Sequence, residues 1–241
     1  MKFNLRKIKF FYINLNSRLD RNMRMEYMLT EAGVNYERFE AIVPTFDEIY
    51  NGKYKFLKSR LSGRCLYKNK TALAVCGIYL SQYSILCKMK EHKQPFVILE
   101  DDVANITKKT LKNLNRILNK NRNIFSDNEW DLIRPFSSVF NKNFTTKIDA
   151  INNVKRFPCD YLNMLSNDIA NFNGNEHGFN GGAHFCIINN ANNIKNFLDN
   201  QSVSDIDHLY STNKINSYLL NFKKIYQDDK CGSDVPTFDV N

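Results

Sequence analysis

The stretch PFVILEDDV, residues 95–103, decides the fold. Its four apolar residues, 96–99, have the length and composition of a buried strand, and three carboxylates follow at Glu100, Asp101 and Asp102. Like charges at the end of a buried strand repel each other unless a cation neutralises them. Carboxylate oxygens suit Mg²⁺ or Mn²⁺, which commonly bridge to substrate phosphates. The stretch therefore predicts a metal and phosphate site at a strand end, where open α/β sheets bind ligands.

The same three carboxylates have a second interpretation. Acidic residues are favoured in the first turn of a helix, and a helical pattern follows from Thr107. On that interpretation the carboxylates stabilise a helix N-terminus and bind no ligand. The nine residues alone leave both interpretations open.

The composition predicts one large globular domain. The chain has 241 residues, of which 43% are apolar and 24% are charged. The net charge of +9 favours an anionic partner such as a nucleotide or an anionic membrane surface, which the protein would contact peripherally. The basic residues are spread along the chain, whereas nucleic-acid modules concentrate them among aromatics, so no nucleic-acid partner is expected.

The six cysteines include no CxxC pair, which argues against a zinc knuckle. Free buried thiols fit a reducing compartment. The basic N-terminus lacks a cleavage signal and no apolar run has the length of a membrane span. These observations predict a cytoplasmic protein, and they leave association with a membrane open.

Apolar periodicity predicts alternating strands and helices, and so an α/β fold with a mostly parallel central sheet. Asp20 is expected to cap the first helix and Gly33 to end it. Residues 136–180 are polar and are predicted to form loops and a substrate-facing subdomain. The predicted strands are 7–15, 36–42, 96–99, 130–133, 183–188 and 224–226, and the predicted helices are 20–32, 73–89, 107–119, 191–198 and 206–210.

Several segments resemble glycosyltransferase family 25 in the family's own order. They are FYINLNSRLDRNMRM (11–25), YERFEAI (36–42), CGIYLSQYSILCKM (76–89), ILEDDV (98–103), WDLI (130–133), GGAHFCIINNANNIKNFL (181–198), SDIDHLY (204–210) and YQDDKCGSDV (226–235). The family includes bacterial lipopolysaccharide galactosyltransferases and collagen galactosyltransferases. The resemblance therefore implies a GT-A-like, Rossmann-like nucleotide-sugar transferase that inverts the anomeric carbon.

The resemblance also implies a domain plan and substrates. One domain would cover 1–241, with a nucleotide-sugar-binding half at 1–135 and an acceptor-binding half at 136–241. The implied donor is UDP-galactose or UDP-glucose, and the implied acceptor is a glycan, as in lipopolysaccharide biosynthesis, or a hydroxylated protein. The chain departs from the family at Gln82, where a histidine is usual, and at Val75, where an acidic residue is common. These departures leave an altered donor or a reduced activity open.

The chemistry of the side chains suggests the metal site, and the resemblance suggests the base. Mn²⁺ or Mg²⁺ held by Glu100, Asp102 and His184 would neutralise the sugar-diphosphate leaving group. Asp207, with Asp205 as the second candidate, would act as the base that inversion requires. The alternative for Asp205 is a helix N-cap, and a lone histidine more often has a structural role.

The other candidate residues come from the same segments. The donor-site candidates are Asn14, Arg18, Arg21, Ser81, Gln82, Glu100, Asp101, Gly181 and Gly182, and the acceptor-side candidates are Gln227, Asp228 and Asp229. The alternatives are a solvated helix face for the two arginines, a plain turn for the glycines and a charged surface loop for the acceptor-side residues.

Two other functions remain open at this point. A metal-dependent nucleotide-sugar hydrolase could use the same acidic cluster without an acceptor. A catalytically silent, glycan-binding homologue could have lost activity through the changes at Gln82 and Val75.

Overall fold

A computed structural model describes residues 2–66, 69–125, 130–135, 162–166, 169–172, 183–222 and 224–228. The strands are β1 (Lys9–Asn14), β2 (Asn35–Glu40), β3 (Phe96–Glu100), β4 (Val103–Ala104), β5 (Leu132–Arg134), β6 (Leu162–Ser166), β7 (Ile169–Phe172), β8 (Phe185–Ile188), β9 (Ser217–Leu220) and β10 (Tyr226–Gln227). The α-helices are α1 (Leu19–Ala32), α2 (Phe46–Tyr50), α3 (Lys70–Met89), α4 (Lys108–Lys120), α5 (Ala191–Asp199) and α6 (Ile206–Leu209). Short 3₁₀ turns cover Leu5–Lys7, Lys55–Arg60 and Gly63–Leu66.

Eight of these strands form one sheet in the order β2-β1-β3-β8-β5-β9-β7-β6. β1 is parallel to β2 and β3, and β5 is parallel to β9. β8 is antiparallel to both of its neighbours, and β7 is antiparallel to both of its own. It follows that all strands of this sheet except β7 and β8 run in one direction. The predicted α/β class is confirmed, with two reversed strands inserted into an otherwise co-directional sheet.

Helices cover both faces of the sheet. Alternate β1 side chains enter two different cores: Phe10 and Tyr12 pack on the side of α1 and α4, whereas Phe11 and Ile13 pack on the side of α3 and α5. A strand that is buried on both faces has no polar alternation. This explains the uninterrupted apolar run of β3, in which residues 96–99 are all fully buried.

The first helix begins differently from the prediction. Arg18, not Asp20, occupies the N-cap position, and its side chain makes no capping bond. Asp20 instead lies in the first turn, where its carboxylate accepts from Arg18 and where a negative charge is also favoured by the helix dipole. The predicted end at Gly33 is confirmed, with a left-handed φ of 67° and N–H contacts to the last turn.

Five of the described strands and α-helices were not predicted, namely β4, β6, β7, β9 and α2. The hairpin of β6 and β7 lies inside the polar stretch that was assigned to loops, and β9 is short. α2 lies in a mixed basic stretch, where a capping box between Thr45 and Glu48 starts it. These elements are short or polar, so the sequence shows little apolar periodicity there. Their burial depends on contacts with parts of the chain that are distant in sequence.

α3 is a core helix. By length and composition alone it could cross a membrane, contrary to the expectation from the apolar runs, but 61% of its most apolar window is buried inside the protein. A single helix of this kind is weak evidence for a membrane span. β8 and β9, from the predicted acceptor half, flank β5 from the donor half. How the halves divide donor and acceptor binding stays a prediction.

A close contact fixes α3 against the loop after β2. A Cβ atom added to Gly77 would lie 2.5 Å from the carbonyl oxygen of Ile42. The Ile42 N–H donates to Ser81 Oγ (2.9 Å), and that hydroxyl donates to the Gly77 carbonyl (2.7 Å). Glycine is therefore required here so that the loop can reach the helix.

The first prediction tests this contact. In an unhindered helix, alanine is favoured over glycine by about 1 kcal/mol. Gly77→Ala should instead lower the free energy of unfolding by about 1–3 kcal/mol, because the new methyl group forces the loop outward. Urea denaturation measures the change, with Ser84→Ala in the same helix as the control. A stabilised Gly77→Ala variant would show that the loop is not held against α3.

Candidate active site

A cavity of about 570 Å³ opens at the carboxyl ends of β1 and β3. Its lining includes residues of the loop after β2, of α3 and of the start of α6. The lining residues used below are Arg21, Ser81, Glu100, Asp101, Asp102, His184, Asp205, Asp207 and Gln227. All nine were predicted from sequence as site residues.

The reversed direction of β8 brings His184 to this edge. Because β8 is antiparallel to β3, Phe185 pairs with Leu99, and the residue before β8 lies beside the residue after Leu99. The Glu100 N–H donates to the His184 carbonyl at 3.0 Å. A residue 84 positions further along the chain thus becomes a neighbour of the acidic strand end.

Two carboxylates and one imidazole form a compact cluster. His184 Nδ1 lies 2.8 Å from Glu100 Oε2 and 3.1 Å from Asp102 Oδ1. One potential ligand atom of each residue lies within 4.8 Å of the others, so all three could hold a single metal ion. Gln227 Nε2 donates to Asp102 Oδ2 at 2.9 Å, because β10 pairs with β4 next to the acidic turn.

Burial acts on all three members of the cluster. It raises the pKa of Glu100, against the opposing charge of His184. Burial lowers the pKa of His184. The charges and hydrogen bonds of Glu100 and Asp102 have the larger effect and hold that pKa well above its usual value. Burial also raises the pKa of Asp102, but hydrogen bonds from His184 and Gln227 bring that pKa below its usual range. The two carboxylates therefore favour a positive charge at His184, and a metal bound there would supply positive charge in its place.

Asp101 faces a different set of partners. Its carboxylate accepts from Asn14 Nδ2 at 2.7 Å and from Arg21 Nη1 at 2.6 Å. Arg24 Nη2 donates to the Asp101 carbonyl at 2.5 Å, and Arg38 Nε donates to Asn14 Oδ1 at 3.0 Å. The single cluster of three carboxylates that the sequence predicted is therefore divided in two. Only Glu100 and Asp102 join His184, whereas Asp101 is neutralised by Arg21.

The interpretation of the acidic residues as a helix N-terminus is wrong. α4 starts at Lys108, its N-cap is Thr107, and its first turn contains no acidic residue. The Thr107 hydroxyl accepts from the Thr110 N–H at 3.0 Å. β4 and residues 105–107 separate the carboxylates from this helix.

Asp205 and Asp207 face the cavity from the start of α6. Asp207 Oδ1 accepts from the Ala183 N–H at 2.6 Å, next to His184. The Asp205 carbonyl accepts from the Leu209 N–H at 3.2 Å, as in the first turn of a helix. Both candidate bases thus share the cavity with the acidic cluster.

The remaining predicted residues differ in their position relative to the cavity. Arg18 pairs with Asp20 and is not among the cavity-lining residues. The Asp228 N–H donates to the Asp102 carbonyl at 2.8 Å, and the Asp228 carboxylate accepts from Arg24 at 3.2 Å. Gly181, Gly182 and Asp229 lie outside the described residues.

The sequence model of glycosyltransferase family 25, described as an LPS biosynthesis protein, matches residues 7–179 of this chain. The match covers well over half of the 241 residues. The chain belongs to glycosyltransferase family 25. The resemblance found in the sequence is confirmed, the fold is consistent with the GT-A-like class, and the chain is a glycosyltransferase. No curated protein matches it in a sequence search.

The family match covers only part of the site. It includes the carboxylates at 100–102 but ends before His184, Asp207 and Gln227. The placement of those three around the cavity comes from the sheet and from the contacts of α6 and β10. Their chemical roles stay predictions.

Gln82 takes a supporting position where the family usually has histidine. Its side chain is fully buried, and Nε2 lies 3.4 Å from Glu100 Oε1. The Tyr210 hydroxyl donates to Gln82 Oε1 at 2.9 Å and so orients the amide. Glutamine therefore supplies a hydrogen-bond donor to Glu100 without a titratable group. Val75 lines the cavity as an apolar wall residue.

Several supporting residues were missed in the sequence. Arg134 is fully buried behind α6, where Nη2 donates to Ser211 Oγ at 3.0 Å and Nη1 lies 3.5 Å from the Asp207 carbonyl. Arg24, Arg38 and Tyr210 likewise support residues that were predicted. These three carried a signal, because they lie in the segments 11–25, 36–42 and 204–210, whereas Arg134 lies outside all of the segments that resemble the family.

The second prediction concerns the buried pair of Arg21 and Asp101, whose side chains are only 5% and 9% exposed. Asp101→Asn leaves the Arg21 charge without its carboxylate and should cost about 3–5 kcal/mol of stability. In a cycle with Arg21→Met, the double variant should lose less than the sum of the single variants, by about 0.5–3 kcal/mol.

Urea denaturation at neutral pH measures each variant. Asp20→Asn, which removes an exposed arginine partner, is the control and should change stability little. Additive losses in the cycle would show that Arg21 and Asp101 are not coupled.

Proposed function

We propose that this chain is a metal-dependent, inverting hexosyltransferase that uses UDP-galactose or UDP-glucose as donor. The observation that carries the proposal is the cluster of Glu100, Asp102 and His184 in a cavity that also holds Asp205 and Asp207. The cavity volume lies within the usual range for small-molecule sites, about 300–1,000 Å³. Membership of the family supports glycosyl transfer, and the donor and metal are the parts proposed.

The donor set of the cluster fits Mn²⁺. Two carboxylates and one imidazole nitrogen are ligands that Mn²⁺ accepts, whereas Mg²⁺ favours oxygen ligands and water. Three protein ligands leave further coordination positions for water or diphosphate oxygens. A metal held there would neutralise charge that develops on the leaving diphosphate. Gln227 and Gln82 would orient the two carboxylates through the hydrogen bonds described above.

Asp207 is the proposed base. Inversion requires a carboxylate that accepts the acceptor hydroxyl proton from the face opposite the leaving group. Asp207 faces the cavity, and the Ala183 N–H fixes one of its oxygens. Asp205 is the second candidate because it lines the same cavity.

The acceptor is proposed to be a lipopolysaccharide glycan. The description of the matching family names LPS biosynthesis, which supports this class. A hydroxylated protein is the other acceptor to test. Release of nucleotide without any acceptor would indicate a hydrolase instead, and no release with any donor or acceptor would indicate a silent homologue.

The third prediction concerns the metal. Asp102→Asn removes one charged ligand and should lower turnover by about 10²-fold or more, while Mn²⁺ affinity falls by at least about 10-fold. Calorimetry with Mn²⁺ and nucleotide-release assays measure the two effects. Asp20→Asn, an exposed carboxylate on α1, is the matched control. Full activity in excess chelator would contradict metal dependence.

The fourth prediction separates the two candidate bases. Asp207→Asn keeps an oxygen that can accept from Ala183 but cannot take a proton, so transfer should fall by about 10²–10⁴-fold with UDP and Mn²⁺ binding retained. Asp205→Asn should retain activity. Initial rates and calorimetry on both variants measure this.

The opposite pattern, with Asp205→Asn inactive and Asp207→Asn active, would assign the base to Asp205. If both variants transfer sugar normally, the base lies elsewhere and Asp228 is tested next.

A further inference from the structure

One basic segment of the chain is exposed on a helix. Residues 103–126 contain no aspartate or glutamate but six lysines and arginines. In α4, Leu111, Leu114 and Leu118 are buried against the sheet. The basic side chains of this helix point away from that core and are exposed: Lys108, Lys109, Lys112, Arg116 and Lys120.

The N-terminal segment adds further positive charge beside α4. The Phe3 N–H donates to Asn119 Oδ1 at 2.9 Å, and the Leu5 N–H donates to Asn115 Oδ1 at 3.0 Å. Asn119 Nδ2 returns a hydrogen bond to the Phe3 carbonyl at 3.0 Å. These bonds hold the segment along α4, and the exposed residues Lys2, Arg6 and Lys7 therefore extend the basic face of the helix.

The side chains of Arg6 and Lys108 both approach Gly33 at the edge of this face. A Cβ atom added to Gly33 would lie 3.2 Å from Arg6 Nη2 and 3.7 Å from Lys108 Cε. Within the described residues, neither side chain has an ion pair with a carboxylate. Neighbouring like charges repel each other unless an anion lies between them. The arrangement therefore suits a phosphate-bearing partner.

We propose that this basic face, formed by α4 and residues 2–7, binds the surface of an anionic lipid bilayer. A bilayer fits better than nucleic acid because, in the part of α4 that the structure describes, no aromatic side chain is exposed for base stacking. α1 packs beside α4 on the same side of the sheet. Its exposed residues include Glu26 and Glu31 as well as Met23 and Tyr27, so the proposed contact is limited to α4 and residues 2–7.

This inference does not depend on the transferase proposal. It explains how a protein whose candidate span, α3, is buried could stay at a membrane surface. Each basic residue close to an anionic bilayer contributes about 1 kcal/mol, which is about fivefold in binding. Attraction of this kind weakens with salt, because ions screen exposed charges.

The test compares two variants that each lose four positive charges. The surface variant combines Lys108→Gln, Lys109→Gln, Lys112→Gln and Arg116→Gln, and the control variant combines Lys53→Gln, Lys55→Gln, Lys90→Gln and Lys93→Gln, all at exposed positions. Co-sedimentation with phosphatidylglycerol-containing vesicles at low salt gives the partition coefficient. Phosphatidylcholine vesicles and a DNA duplex of random sequence are parallel arms, and circular dichroism confirms that both variants are folded.

The partition coefficient of the surface variant on anionic vesicles should fall by at least about 100-fold relative to the unchanged protein. The fall for the control variant should be several-fold smaller. The unchanged protein should not bind the neutral vesicles. Equal losses in the two variants would overturn the proposal, because the attraction would then come from net charge alone. Tighter binding to the DNA duplex than to anionic vesicles, lost in the surface variant, would overturn it in favour of nucleic acid.

Discussion

Two carboxylates at the buried end of β3 require a positive charge beside them, and the site is built around that requirement. Glu100 and Asp102 receive it from His184, which reaches them only because β8 runs against β3. Had β8 been parallel to β3, the residue before it would lie at the opposite edge of the sheet. One reversed strand therefore joins a ligand from the second half of the chain to the acidic end of the first.

The carboxylate between them is neutralised on its own. Asp101 is held by Arg21 from α1 and by Asn14 from the end of β1. A buried carboxylate without a partner would be strongly destabilising, so this arginine is part of the structure of the acidic turn. The arrangement also separates the charges. With Asp101 paired elsewhere, the metal candidate has two carboxylates and not three, which lowers the repulsion that the cluster must overcome.

Much of this was accessible from sequence. The run 96–99 showed a strand buried on both faces, and the acids after it showed where a ligand would bind. The family segments added His184 and Asp207, which the structure brings to the same cavity. Sequence could not show that Asp101 faces away from its neighbours, because that direction depends on how the turn packs against α1. It also could not place Gln227 on Asp102, since that contact depends on the pairing of β10 with β4. The polar hairpin of β6 and β7 was missed because its strands carry little apolar periodicity.

Two groups of basic residues have different roles in the structure. Arg21 and Arg24 point inward and hold the acidic turn, and Arg38 holds Asn14, so these charges are used inside the fold. The lysines of α4 point outward with no carboxylate on the same helix. Composition alone treats both groups as one attraction for an anionic partner. The inward group supports the site beside the donor cavity, whereas the outward group lies across the α1 and α4 side of the sheet. The basic residues that hold the acidic turn and those of the basic face are therefore different residues.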